Sequence, residues 1–105
     1  MKKINVLGTD YAFKEDDLNN ELLSENDGVC ELYEKEIVIR KREYMPGSTE
    51  AGKEKRYQHV ILHELVHAFA EESGVSYGND EALVDWIAHM TPLINKAHSE
   101  IVAGD

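Results

Sequence analysis

Between residues 57 and 73 the chain carries a dense apolar run, Val60, Ile61, Leu62, Leu65, Val66, Phe69 and Ala70, into which two imidazoles and a carboxylate are set at His63, Glu64 and His67. The apolar positions recur at helical spacing and cover most of a helix circumference, so the segment reads as an α-helix buried on nearly all sides. Residues four apart on a helix lie one turn above each other on the same face, so the His63 and His67 rings can reach one metal ion together. Glu64 stands beside them. Two histidines and a carboxylate buried without partners are costly, and a metal-centred cluster supplies the partners. Neutral imidazole suits Zn²⁺, and a single ion with one open coordination position can activate a water while a nearby carboxylate takes its proton.

Such a site needs a third protein ligand. Glu71 lies about 12 Å along the helix axis from His63, too far to share an ion with it, and Glu71 and Glu72 read as solvated charge. Gly74 is placed to stop the helix. Asn79 or Asp80 is placed to cap a second helix, on which Glu81 and Asp85 project from one face. One of these two carboxylates can bind the metal while the other orients a histidine through its free ring nitrogen.

His63-Glu64-Leu65-Val66-His67, followed by Glu81 and then Asp85, resembles the gluzincin arrangement of thermolysin-like zinc metallopeptidases. The short form is similar to small metallopeptidase domains encoded by phages and prophages. The resemblance covers residues 57–90 and implies a zincin-like fold with one Zn²⁺ on His63, His67 and Glu81. It further implies that Glu64 is the general base and that Asp85 steadies a ligand histidine, His63 in the first instance. The activity implied is hydrolysis of peptide bonds by metal-activated water, with a peptide or protein substrate laid along a sheet edge as an added strand. Two positions depart from the pattern: the gap from His67 to Glu81 is shorter than in thermolysin, and Asp80 precedes Glu81 where that family has Asn. Those departures leave Asp80 and Asp85 as alternative third ligands. Thermolysin-like enzymes also use a His or Tyr to stabilise the oxyanion, from a domain this chain lacks. His59, Tyr44, Tyr57, Tyr77 and His89 are candidates for that part, and none is assigned. His59 reads as a surface or helix-N-terminal histidine.

Neighbouring zinc families fail on position. A metzincin would place a Gly and a third His where Ala70 and Ser73 stand, and the setting of Cys30 does not resemble the deformylase cysteine motif. Alternation of Cys30 and Leu32 with Glu31 and Tyr33 instead fits a half-buried strand, with Cys30 as a small core residue. The competing functional class is a non-catalytic, zinc-stabilised protein-binding module of the phage-regulator type.

The remainder reads as one α+β domain over residues 1–105, an antiparallel or mixed three-stranded sheet packed on the active-site helix and a ligand-bearing helix. Strands are expected at 3–8, 29–33 and 37–41, the last two as a hairpin around Glu34-Lys35-Glu36, with Tyr11 and Phe13 as core anchors. A short acidic helix is expected over 15–25, and a surface loop, placed to act as a lid, over 43–55. Thr91-Pro92 reads as the start of a further helix that closes the core with Leu93, Ile94, Ala97 and Ile101. Arg40-Lys41-Arg42 is too short for a nucleic-acid patch and reads as a charged strand end. A net charge of −10 argues against nucleic acid as a partner. A single cysteine and the absence of a secretion signal or membrane span point to the cytoplasm.

Overall fold

The computed structural model describes residues 2–16, 23 and 26–104. Four strands and two long helices make an α+β unit: β1 (Lys2–Val6), β2 (Thr9–Asp16), β3 (Gly28–Glu31), β4 (Glu36–Arg40), α1 (Glu50–Ser73) and α2 (Glu81–Ala103). The sheet is mixed and runs in the order β1-β2-β4-β3, so it has four strands and not three.

The additional strand is β2. Val6 pairs with Thr9 across a two-residue turn. Leu7 and Gly8 both take positive φ, 51° and 97°, the hand that matches the twist of an antiparallel pair. Thr9 and Asp10 therefore belong to a strand, not to the turn expected there. Tyr11 is fully buried and Phe13 packs partly buried against the core, as the anchor reading expects. Glu15 and Asp16 continue β2 where a helix was expected to begin. Their low strand propensity is overridden by pairing with Ile39 and Arg40 of β4 and by the Tyr57 hydroxyl, which donates to Glu15 Oε1 over 2.8 Å. The rest of the expected acidic helix lies outside the described residues, apart from Leu23, which is buried.

β3 and β4 form the expected hairpin, with Gly28 opposite Ile39 and Glu31 opposite Glu36. Ile37, Val38 and Ile39 are all buried, so the inner strand β4 is covered on both faces. Val6, Tyr11, Ile37, Ile39, Met45, Tyr57, Val60 and Ala68 make the core between the sheet and α1. Arg40 is no surface charge: it donates to the carbonyls of Leu23 and Asn26 and pairs with Asp27.

The segment read as a loop and lid is shorter than expected. Arg42–Tyr44 is a 3₁₀ turn, Met45 is buried, and α1 begins at Glu50, capped by Thr49, whose hydroxyl accepts from Gly52 N over 3.0 Å. A polar first turn hid this start, because nothing apolar marks the periodicity before Tyr57. Gly74 ends α1 with φ 73°, as its sequence position implied. α1 is not buried all round: Phe69 is 41% exposed, since a sheet on one side and a single helix on the other leave part of its circumference bare.

α2 starts at Asp80, whose side chain accepts from Leu83 N, and runs unbroken through Pro92. Among the described residues there is no separate final helix. Without a glycine or turn residue nearby, the fixed φ of Pro92 continues the helix, and the Thr91 hydroxyl donates to the Ile87 carbonyl instead of capping a new one. Val84 and Ala88 pack α2 on α1, but Leu93, Ile94 and Ile101 are 55%, 58% and 79% exposed and close no core. Among the described residues no helix is long and apolar enough to cross a membrane.

Candidate metal centre

α1 and α2 run in opposite directions past each other, and their polar residues interleave. His67 Nε2 lies 3.0 Å from Glu81 Oε1, and His63 Nε2 lies 3.0 Å from Glu81 Oε2. His63 Nδ1 lies 3.4 Å from Asp85 Oδ1, and His59 Nε2 lies 2.8 Å from that same oxygen. Glu81 and Asp85 thus each sit between two imidazoles of α1 spaced one helical turn apart.

The backbone makes this possible at two glycines. The connector between the helices passes through a 3₁₀ turn, Ser76–Asn79, and a Cβ at Gly78 would stand 3.2 Å from Ala70 Cβ and 3.9 Å from His67 Nδ1. Gly78 therefore lets the chain cross close over His67 before α2 returns Glu81 to it. On the other side, a Cβ at Gly28 would come within 2.6 Å of Val60 Cγ1 and 3.2 Å of Glu64 Cγ. The first residue of β3 is thereby held against α1 at the level of Glu64.

Among the described residues Glu64 is the one charged residue in the buried set, 7% exposed. Burial pushes its carboxyl up to about 7, the negative charge of Glu81 adds to the rise, and His63 opposes it. Asp85 moves the other way: hydrogen bonding from His59, and then from His63, holds its carboxyl below the usual range, against a smaller opposing effect of burial.

His63, His67 and Glu81 each offer a ligand atom to one point, with those atoms within 4.8 Å of one another. Around a tetrahedral zinc with bonds near 2.0–2.1 Å, neighbouring ligand atoms lie about 3.3 Å apart, so contacts of this size need little movement to close on an ion. Two imidazoles and one carboxylate are also a suitable donor set, and the grouping can hold a metal ion. Asp80 caps α2 and stands outside it. Asp85 lies behind His63 but makes its shorter contact with His59.

His59 lies one turn before His63 and lines the same cleft instead of standing as a plain surface or helix-N-terminal histidine; the return of α2 supplies its carboxylate partner, Asp85. Glu72 was misread as solvated: it accepts from Thr9 Oγ1, Tyr11 OH and Lys35 Nζ at 2.8, 2.7 and 2.8 Å. Tyr57 spends its hydroxyl on Glu15 at the sheet. Cys30 is half-buried against the core, and burial raises its thiol to about 12.

Comparison of the chain with protein-family models, with curated proteins and with solved structures finds no significant match.

Proposed function

We propose that the chain is a zincin-like zinc metallopeptidase that hydrolyses peptide bonds. The observation that carries this reading is the convergence of His63, His67 and Glu81 on one point, with the buried carboxyl of Glu64 on the adjoining helix position. His63, His67 and Glu81 would hold the ion, and Asp85 would fix the ring of His63 through its Nδ1 proton. When bound, zinc supplies a Lewis acid for the scissile carbonyl and lowers the pKa of water into the neutral range.

Glu64 does the proton work. As a carboxylate it takes the proton of the attacking water as the new C–O bond forms, then delivers it to the amide nitrogen as the C–N bond breaks. A carboxylate held beside the ion on the adjoining helix position is placed for both steps. The substrate's main chain would lie along β3, the sheet edge packed on α1 beside this site. An open cleft of about 320 Å³ runs there, lined by Gly28, Arg56, His59, His63 and Asp85. A net charge of −10 favours a peptide, and a basic one, over nucleic acid.

The test is Glu64→Gln assayed on a mixture of denatured proteins or a peptide library, with zinc content measured on the same preparations. Cleavage by the zinc-loaded wild type, falling by about 10²–10⁴-fold in Glu64→Gln with zinc retained, is the expected result. Zinc bound by both proteins without cleavage by either would instead favour the zinc-stabilised binding module.

A further inference from the structure

The contact pattern between the helices occurs twice. His63, Glu81 and His67 form one imidazole–carboxylate–imidazole step, and His59, Asp85 and His63 form another, displaced by one turn along both helices. In the outer step Asp85 Oδ1 lies 2.8 Å from His59 Nε2 and 3.4 Å from His63 Nδ1. All three residues offer ligand atoms within the same 4.8 Å limit as the inner group. His89 follows Asp85 by one further turn of α2, and its ring centroid is 5.9 Å from that of His59, against 5.0 Å between His63 and His67.

We propose that His59, Asp85 and His89 bind a second divalent transition-metal ion, one helical turn outward from the first. The inference rests on the inner zinc site, because His63 divides its two ring nitrogens between the steps. With Nε2 on the inner ion, its Nδ1 keeps a proton and donates to Asp85, so it supports the outer site without ligating there. His89 is exposed and stands four residues after Asp85 on the same face of α2; it lies outside the group whose ligand atoms already converge, so its ring has to swing towards Asp85 to serve as the third ligand. Imidazoles with one carboxylate select zinc, cobalt, nickel or copper over magnesium or calcium, which prefer all-oxygen sites. The place is reachable: His59, His63 and Asp85 line the open cleft, and the one cation on its wall, Arg56, is paired with Asp27 over 2.7 Å. His59 is more exposed than His63 and His67, and His89 has to move to ligate, so the second ion binds more weakly than the first.

Equilibrium dialysis against Zn²⁺, repeated with Co²⁺ to read ligand-field bands, separates the possibilities. Wild type is expected to take up two equivalents in two phases. His59→Gln and His89→Ala should each lose the weaker equivalent and keep the tighter one, with folding checked by circular dichroism. His67→Ala should lose the tighter phase. One equivalent in wild type, abolished by His67→Ala, overturns the second site and leaves the first. Two equivalents retained in either His59→Gln or His89→Ala place the second ion elsewhere and also overturn it. No uptake at all removes both sites together.

Discussion

Glu72 is tied to three donors from two parts of the chain: Thr9 and Tyr11 on β2, and Lys35 at the end of the β3–β4 turn, where it takes a positive φ of 56°. The hydrogen bonds from Lys35, then Tyr11 and Thr9, pull its carboxyl down to about 2, against a smaller opposing effect of burial. A folded-state pKa below the unfolded value means that this contribution is fully present above about 4.5 and is lost as pH falls towards 2. Acid unfolding followed by circular dichroism should therefore show stability falling through that window, and Glu72→Gln should flatten the fall. An unchanged acid slope in the variant would mean that the network does not couple to folding. The same residue illustrates why a charge pair near a helix end cannot be assigned from its neighbours in sequence. Glu71 and Glu72 are alike in the chain, and only the arrival of β2 and the hairpin turn sets them apart.

At the level of elements, β3 is pinned to α1 by the absence of a side chain. A Cβ at Gly28 would sit 2.6 Å from Val60 Cγ1 and 2.8 Å from Ile39 Cδ1, so one of them would have to move. Overpacking of this kind costs about 1–3 kcal/mol, and Gly28→Ala is expected to destabilise the domain by that amount in urea unfolding. A loss below about 0.5 kcal/mol, within the ordinary range of surface substitutions, would show that β3 can retreat from α1 without cost. Glu64 lies against the same contact, so the substitution should also disturb the peptide hydrolysis proposed for this site. The elements differ in how plainly the chain announces them. β4 and the apolar middle of α1 stand out because both are rich in buried aliphatics at the right period. β2 did not, because three of its residues are acidic and its pairing with β4 is parallel to a strand more than twenty positions on. Parallel pairing of that kind leaves no local turn signal to read.

The whole molecule has a modest core, formed on one face of a four-stranded sheet, and its two helices meet partly through polar residues. An ion on the proposed site should therefore matter to folding as well as to the proposed chemistry. An ion bound only by the native state at a thousandfold its Kd adds about 4 kcal/mol, which for a domain near this size corresponds to a rise in Tm of about 15 °C or more. Melting of chelated protein before and after zinc addition checks this, and coincident melts would remove the inner ligand group from consideration. His63→Ala should abolish the difference.

The sequence alone determined the α+β class, the helix that carries His63, Glu64 and His67, its stop at Gly74, and the β3–β4 hairpin. Each of these rests on local chemistry: spacing along one helix, a left-handed position that favours glycine, alternation within one strand. It also singled out Glu81 and Asp85, because residues four apart share a helix face. Only the tertiary structure decided which imidazole each carboxylate meets, that Asp85 turns first to His59, that Glu72 closes a network, and that α2 runs straight through Pro92 into solvent. Those outcomes depend on how two helices slide past each other and on which strand lies beside which. Such relations are set by packing between residues distant in the chain, and no local pattern encodes them.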